Sequence, residues 1–182
     1  MKRPQVITTL TKHPWLIYGI DVVKNLPDNG FLKKDFMNLA GVPRKLAKTL
    51  LYYLIRYGFL KSIPRNGMAF YIPTDDCLQA FKLIKRRASY KDKVYLYELG
   101  NMYVLVVIRK RRISAYIVSK EIVNKVREAL ERRHELSIDE MSVILSMRRD
   151  VIIKVLRILE LLGIVRRKMT GNKVKKYSIM KT

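Results

Sequence analysis

The chain has 182 residues, 49% of them hydrophobic, enough to fill one large or two small cores and too apolar for a disordered basic tail. Its 38 Lys and Arg against 15 Asp and Glu give a formal charge of +23, an excess that costs self-repulsion and attracts polyanions. One cysteine (Cys77) and two distant histidines (His13, His134) exclude an intramolecular disulfide and a cysteine-ligated zinc site; no apolar run reaches the ~18 residues of a membrane span.

In chain order, Met1-Lys2-Arg3 could open a signal peptide, but Lys12 and His13 interrupt the apolar stretch that must follow. Pro14 to Leu26 reads as a helix, with proline in the first turn and Thr11 as an upstream cap. Pro27-Asp28-Asn29-Gly30 stops it, and a second helix runs from Lys33 to Ala40. After Gly41-Val42, Pro43 starts a third helix whose Leu46, Leu50, Leu54 and Tyr57 form an inward stripe, and Gly58 ends it. Phe59–Ile63 and Met68–Ile72 read as strands around Pro64-Arg65-Asn66-Gly67, where Asn-Gly signals a hairpin.

Asp75 to Arg87 reads as helical, and Val94–Leu99, Met102–Arg109 and Ile113–Val118 as a small meander that packs on a wing or on a second subunit. Lys120 to Arg133 is then a helix, Leu136-Ser137-Ile138 is extended, and Asp139 caps a helix to Ser146. A further helix spans Arg148 to Leu162 with Val151, Val155, Leu159 and Leu162 inward, and Gly163 ends it. Ile164–Lys168 and Val174–Ile179 make a last hairpin around Thr170-Gly171-Asn172.

Phe31–Lys61 lies on Leu136–Arg166 without a gap, at an offset of 105 residues. Phe36 meets Met141, Leu46 meets Val151, Leu50 meets Val155, Leu54 meets Leu159 and Gly58 meets Gly163. The shared pattern covers two helices, a turn and a strand.

Three helices with a tight turn before the third, followed by a hairpin, resemble the winged-helix family, a helix-turn-helix variant, over about residues 10–73 and 119–180. The resemblance implies an α+β, mainly α fold of two winged-helix domains, 1–74 and 119–182, joined at 75–118 by a small helix and an antiparallel β segment. It also implies double-stranded DNA as partner, with the third helix in the major groove and the wing on backbone or minor groove. The composition, poor in Gln and rich in Lys, Arg, Ile and Tyr, hints at a thermophile, and tandem winged-helix proteins of archaea, their viruses or plasmids are the expected kin.

The outward face of the first unit's third helix carries Arg44, Lys45, Lys48, Thr49, Tyr52 and Arg56, with no acid between Pro43 and Arg56. Such residues donate to phosphate or to guanine O6 and N7. Arg65 extends the set onto the first hairpin. The second unit's third helix offers Arg148, Arg149, Lys154 and Arg157, but also Asp150 and Glu160. Asp150 either accepts from cytosine N4 or favours the helix start. The second hairpin carries Arg166, Arg167, Lys168, Lys173, Lys175 and Lys176, which suit phosphate. These inventories suggest that the first unit reads bases and the second holds backbone. Arg109, Lys110, Arg111 and Arg112 are a third phosphate contact or a charged edge that blocks sheet aggregation.

Tyrosines such as Tyr52, Tyr90, Tyr97 and Tyr116 could stack on single-stranded bases, but their spacing suits packing, and Trp15 reads as core. No phosphate-cradling Gly-rich loop with a lysine occurs, and Glu98 with Asp92 is an incomplete carboxylate set for a metal nuclease. The expectation is therefore no catalytic residue, no metal and no cofactor. It is also a cytoplasmic, nucleoid-associated protein with no membrane role, with RNA open as a second partner and a homodimer as an assembly. A sequence-specific transcriptional regulator leads the functions implied by the resemblance. A replication initiator or repeat-binding protein, a non-specific architectural binder and an RNA-binding subunit are the alternatives.

Overall fold

The structure, a computed structural model, describes residues 3–91, 93–170 and 173–180. It is a mixed α+β arrangement with antiparallel sheets. The first part comprises α1 (Arg3–Lys12), α2 (Leu16–Val23), β1 (Phe31–Leu32), α3 (Lys33–Ala40), α4 (Arg44–Arg56), β2 (Leu60–Arg65) and β3 (Met68–Pro73). A middle part follows, with α5 (Asp75–Leu83), β4 (Ile84–Tyr90), β5 (Val94–Leu99), β6 (Met102–Ile108) and β7 (Ile113–Ser119). The last part comprises α6 (Lys120–Arg133), β8 (Glu135–Leu136), α7 (Ile138–Ile144), α8 (Arg149–Leu161), β9 (Val165–Thr170) and β10 (Lys173–Ile179).

The repeat is built into the element bounds. Helices α4 and α8 begin and end 105 residues apart, as do the first residues of β2 and β9 and of β3 and β10. The sheets match as well: β1-β3-β2 in the first unit and β8-β10-β9 in the second, each a hairpin joined on its inner strand by a two-residue strand from before the second helix. Both third helices end alike. Gly58 (φ +78°) and Gly163 (φ +70°) take left-handed backbone. Phe59 and Ile164 then donate their amides to the carbonyls of Leu54 and Leu159 at 2.8 and 2.9 Å, closing helix carbonyls that would otherwise lack partners.

Several boundaries differ from the sequence reading, each for a local reason. The first helix splits: α1 starts at Arg3, and Pro14, which has no amide proton and restricts the residue before it, breaks the helix between Lys12 and Leu16. Thr11 does not cap a helix; its hydroxyl donates to the Ile7 carbonyl at 2.8 Å within α1. Pro64 lies in β2 opposite Ala69, which is permitted because β2 is an edge strand, and the turn is Asn66-Gly67 alone, both at positive φ. Ser137, not Asp139, caps α7: its hydroxyl accepts from the Glu140 amide at 3.2 Å, and the Glu140 carboxylate accepts from the Ser137 amide at 2.6 Å. On α4 the buried line is Ala47, Leu50, Leu51 and Leu54, while Leu46 and Tyr57 are half-buried.

The middle part differs most. The helix stops at Leu83, and Ile84–Tyr90 pairs with β5 as a fourth strand, with a bulge between Arg86 and Ala88. The meander β4-β5-β6-β7 is a partition between the two repeated units. Tyr95, Tyr97, Leu99, Val104, Val106 and Ile108 join the core of the first unit. The alternate residues Val94, Leu96, Leu105 and Val118 join the core of the second. A strand has period two, so a sheet covered on both faces reads as continuous apolar sequence, as Met102–Ile108 does.

Polar groups fasten each side. Asp21 of α2, 9% exposed, accepts from the Arg86 guanidinium of β4, with Nε at 2.8 Å, and from the Tyr97 hydroxyl of β5 at 2.9 Å. Burial, followed by the Asp21 charge, pushes the Tyr97 hydroxyl well above the usual phenol range. On the opposite face Glu98 accepts from Lys120 of α6 at 2.5 Å and pairs with Arg87. The Lys120 hydrogen bond foremost holds the Glu98 carboxyl below its ordinary range.

Candidate nucleic-acid interface

Helix α4 has its apolar residues at helical spacing against α2 and α3, which turns the remaining face to solvent. Arg44, Lys45, Lys48, Thr49, Tyr52 and Arg56 are all exposed. Among the described residues none of the four cations makes an ion pair, though Arg56 lies 6.0 Å from the Tyr53 ring. The Thr49 hydroxyl donates to the Lys45 carbonyl at 3.0 Å. Arg65 is exposed at the end of β2, its guanidinium 5.1 Å from the Phe70 ring. This face presents unneutralised donors on a rigid rod.

The turn at Arg109–Arg112 is the tip of the β6–β7 hairpin, closed by Arg109 N donating to Arg112 O at 2.8 Å. All four side chains are exposed. The tip lies beside α4: a cleft of about 590 Å³ separates them, with Lys45, Leu46, Thr49 and Tyr53 on the helix side and Lys110, Arg111 and Arg112 on the hairpin side. The structure thus brings two groups of cations to one place that are more than fifty residues apart in sequence. Trp15, read as core, is half-buried and lines the cleft, edge-on to Tyr53 with ring centroids 5.1 Å apart.

The second unit arranges the same parts differently. Helix α8 lies against β4 and β7. Lys154 Nζ sits 4.9 Å from the Tyr116 ring and the Arg157 guanidinium 5.5 Å from the Tyr90 ring, contacts that use the cations inside the protein. Each is also paired: Lys154 with Asp150 at 3.1 Å, Arg157 with Glu160 at 3.7 Å. Arg148 pairs with Asp150 at 3.0 Å and Arg149 with Asp139 at 2.8 Å. Asp150 therefore serves its own helix, and Lys154 foremost holds its carboxyl below the ordinary range.

The second hairpin spends charge too. Arg167 takes Glu160 through two nitrogens, Nη2 at 2.7 Å, and Lys168 reaches Glu135 at 2.9 Å. Lys168 foremost, with Lys176 and Arg166 adding their charge, keeps the Glu135 carboxyl low. Arg166 is exposed and Lys176 half-buried; the side chains of Lys173 and Lys175 lie outside the described residues. Glu135 was not singled out in the sequence, and Glu160 was noted there only as an acid on the third helix, because their hairpin partners Lys168 and Arg167 sit on another element, where no spacing rule reaches.

Glu98 is occupied by Lys120 and Arg87, and Asp92 lies outside the described residues. Among the described residues no group of three or more His, Cys, Asp or Glu is placed to hold a metal, and no helix is long and apolar enough to cross a membrane. Cys77 is buried in the first core, which pushes its thiol up to about 12. Comparisons with protein-family models, curated proteins and solved structures find no match to this chain.

Proposed function

We propose that the protein binds double-stranded DNA, that its two repeated units are winged helices, and that it acts as a sequence-specific transcriptional regulator. The winged-helix reading is supported by the shared element order and by the matching strand orders β1-β3-β2 and β8-β10-β9. The observation that carries the DNA reading is the outward face of α4: four cations, no acid and no internal ion pair among the described residues. An α-helix fits the major groove, where arginine and lysine donate to guanine O6 and N7. In this reading α4 is the single reading helix, Arg65 and Arg109–Arg112 contact phosphate beside it, and the second unit contributes phosphate contacts through Arg166 and its neighbours on the hairpin. No catalytic step is assigned to any residue.

The test is capture of genomic DNA fragments by the pure protein at physiological salt with competitor DNA and RNA in excess. A few shared sites, upstream of genes, support a regulator; sites at an origin or repeat array make it an initiator instead. One further reading has a specific observation behind it: the charge of +23 is spread along the whole chain, as suits a protein that coats DNA through phosphates alone. Even coverage of the genome would establish that reading over the regulator. Retention by RNA in place of DNA would overturn both.

A further inference from the structure

The space between the third helix and the central sheet is closed in one unit and open in the other. In the second unit Lys154 and Arg157 reach across to Tyr116 and Tyr90. In the first unit the counterparts of those cations, 105 residues earlier, are Thr49 and Tyr52, and a cleft of about 590 Å³ remains. That size lies within the range of small-molecule sites, which are mostly apolar with a few placed polar groups. Its floor is apolar and aromatic: Trp15, Leu46, Leu50 and Tyr53. The ring row continues behind it, with Tyr53 stacked on Tyr57 at 6.1 Å and Tyr57 on His13 at 4.4 Å. The rim is cationic, Lys45 from α4 facing Lys110, Arg111 and Arg112 from the hairpin, and no acid lines the cleft.

A flat apolar body matches the floor, and one negative charge matches a rim that has no carboxylate of its own to satisfy. We propose that this cleft binds a small organic anion with an aromatic body, and that this ligand and duplex DNA exclude one another. The exclusion follows from shared residues: Lys45 and Thr49 belong both to the cleft and to the face proposed to read DNA. The ligand site stands on the geometry of the cleft; the exclusion rests on the DNA reading given above.

The chain has one tryptophan and it lines the cleft, so its indole N–H is a single site-specific NMR signal. The probe is 1-anilinonaphthalene-8-sulfonate, set against uncharged N-phenyl-1-naphthylamine, titrated into the full chain. The proposal expects the sulfonate to move the Trp15 signal saturably at one equivalent and the uncharged probe to bind at least tenfold more weakly. Lys110→Glu with Arg112→Glu should raise the sulfonate's Kd at least tenfold. Thr49→Phe, filling the cleft from an exposed position, should abolish the shift. Binding that leaves the Trp15 signal in place, or that ignores both variants, would be attraction to a basic surface and would overturn the site. A duplex that displaces the probe supports exclusion. A duplex that binds beside a seated probe overturns exclusion and removes α4 from the DNA interface, while the ligand site survives. No duplex binding at all overturns the DNA function and the exclusion with it, again leaving the ligand site standing.

Discussion

Helices α4 and α8 occupy the same position in two copies of one unit, yet they face different surroundings. The first unit meets the central sheet through α2, with Asp21 on Arg86 and Tyr97 and with the Tyr18 and Tyr95 rings 5.0 Å apart. That docking leaves α4 beside a cleft with its cations free. The second unit meets the opposite face partly through α8 itself. Its cations are taken by Asp150, Glu160 and two tyrosine rings. The two units thus share a scaffold but not a setting: one third helix is an open surface, the other is part of the frame. Repeated architecture by itself does not imply repeated function, since function resides in the site.

The comparison breaks first at α4. Lys48→Ala with Arg56→Ala should weaken duplex binding about 100-fold, roughly 2.7 kcal/mol, from two contacts of ordinary size. The thermal midpoint should barely move, because both side chains are exposed. A comparison pair at the start of α8, Arg148→Ala with Arg149→Ala, removes surface ion pairs only and should cost less than threefold in affinity. Equal losses in a fluorescence anisotropy titration would show both helices on the DNA and end the division of labour proposed here.

Asp21→Asn tests the docking that frees α4. It keeps the shape but removes the charge from a buried site facing Arg86 and Tyr97. Breaking such a pair costs several kcal/mol when both partners are buried. The Arg86 side chain is 44% exposed, so solvent screens it and about 2 kcal/mol is expected. Differential scanning calorimetry should record a fall of about 4–8 °C in Tm. An unchanged midpoint would mean that apolar packing alone holds the first unit on the sheet.

The two glycines test whether the units remain equivalent as scaffolds. An added methyl at Gly163 meets nothing within 4 Å, and at Gly58 only Asp76 Oδ2 at 3.8 Å. Sterics with neighbours are therefore absent, and the cost is the left-handed backbone itself, about 1 kcal/mol for each Gly→Ala. Urea titrations should give matching losses for Gly58→Ala and Gly163→Ala. A difference above about 1 kcal/mol would show that the helix ends have diverged along with their faces.

Both glycines were visible in the sequence, as were the repeat, the order of helices and hairpins, and the polar face of α4. These are local signals: periodicity, turn residues and a run of unmixed charge. What stayed hidden depended on contacts between distant segments. Ile84–Tyr90 carries Lys85, Arg86 and Arg87 and resembles the tail of a helix until β5 offers it a partner. The alternation in β5 and β6 appeared as plain apolar sequence because both faces are covered. Asp150 and Glu160 could be counted as acids near α8, but which cations they neutralise is fixed only by the fold. The pairing of Arg109–Arg112 with α4 was likewise beyond any spacing rule.

The smallest effect is the most discriminating. Ile153 stands 105 residues after Lys48, on the part of α8 that faces solvent, and is 50% exposed. Ile153→Lys restores to α8 the cation that α4 carries. On an exposed helix position the exchange should change stability by less than about 0.5 kcal/mol. If α8 is frame, the new charge lies away from the duplex and affinity should rise less than threefold, through the long-range field alone. If α8 approaches phosphate, one added contact should steepen the dependence of log K on log salt by about 0.9. A salt titration of the variant against the parent separates the two, because a distant charge alters the field without adding a released counterion. A steeper slope would return α8 to the interface and make the second unit a reader like the first.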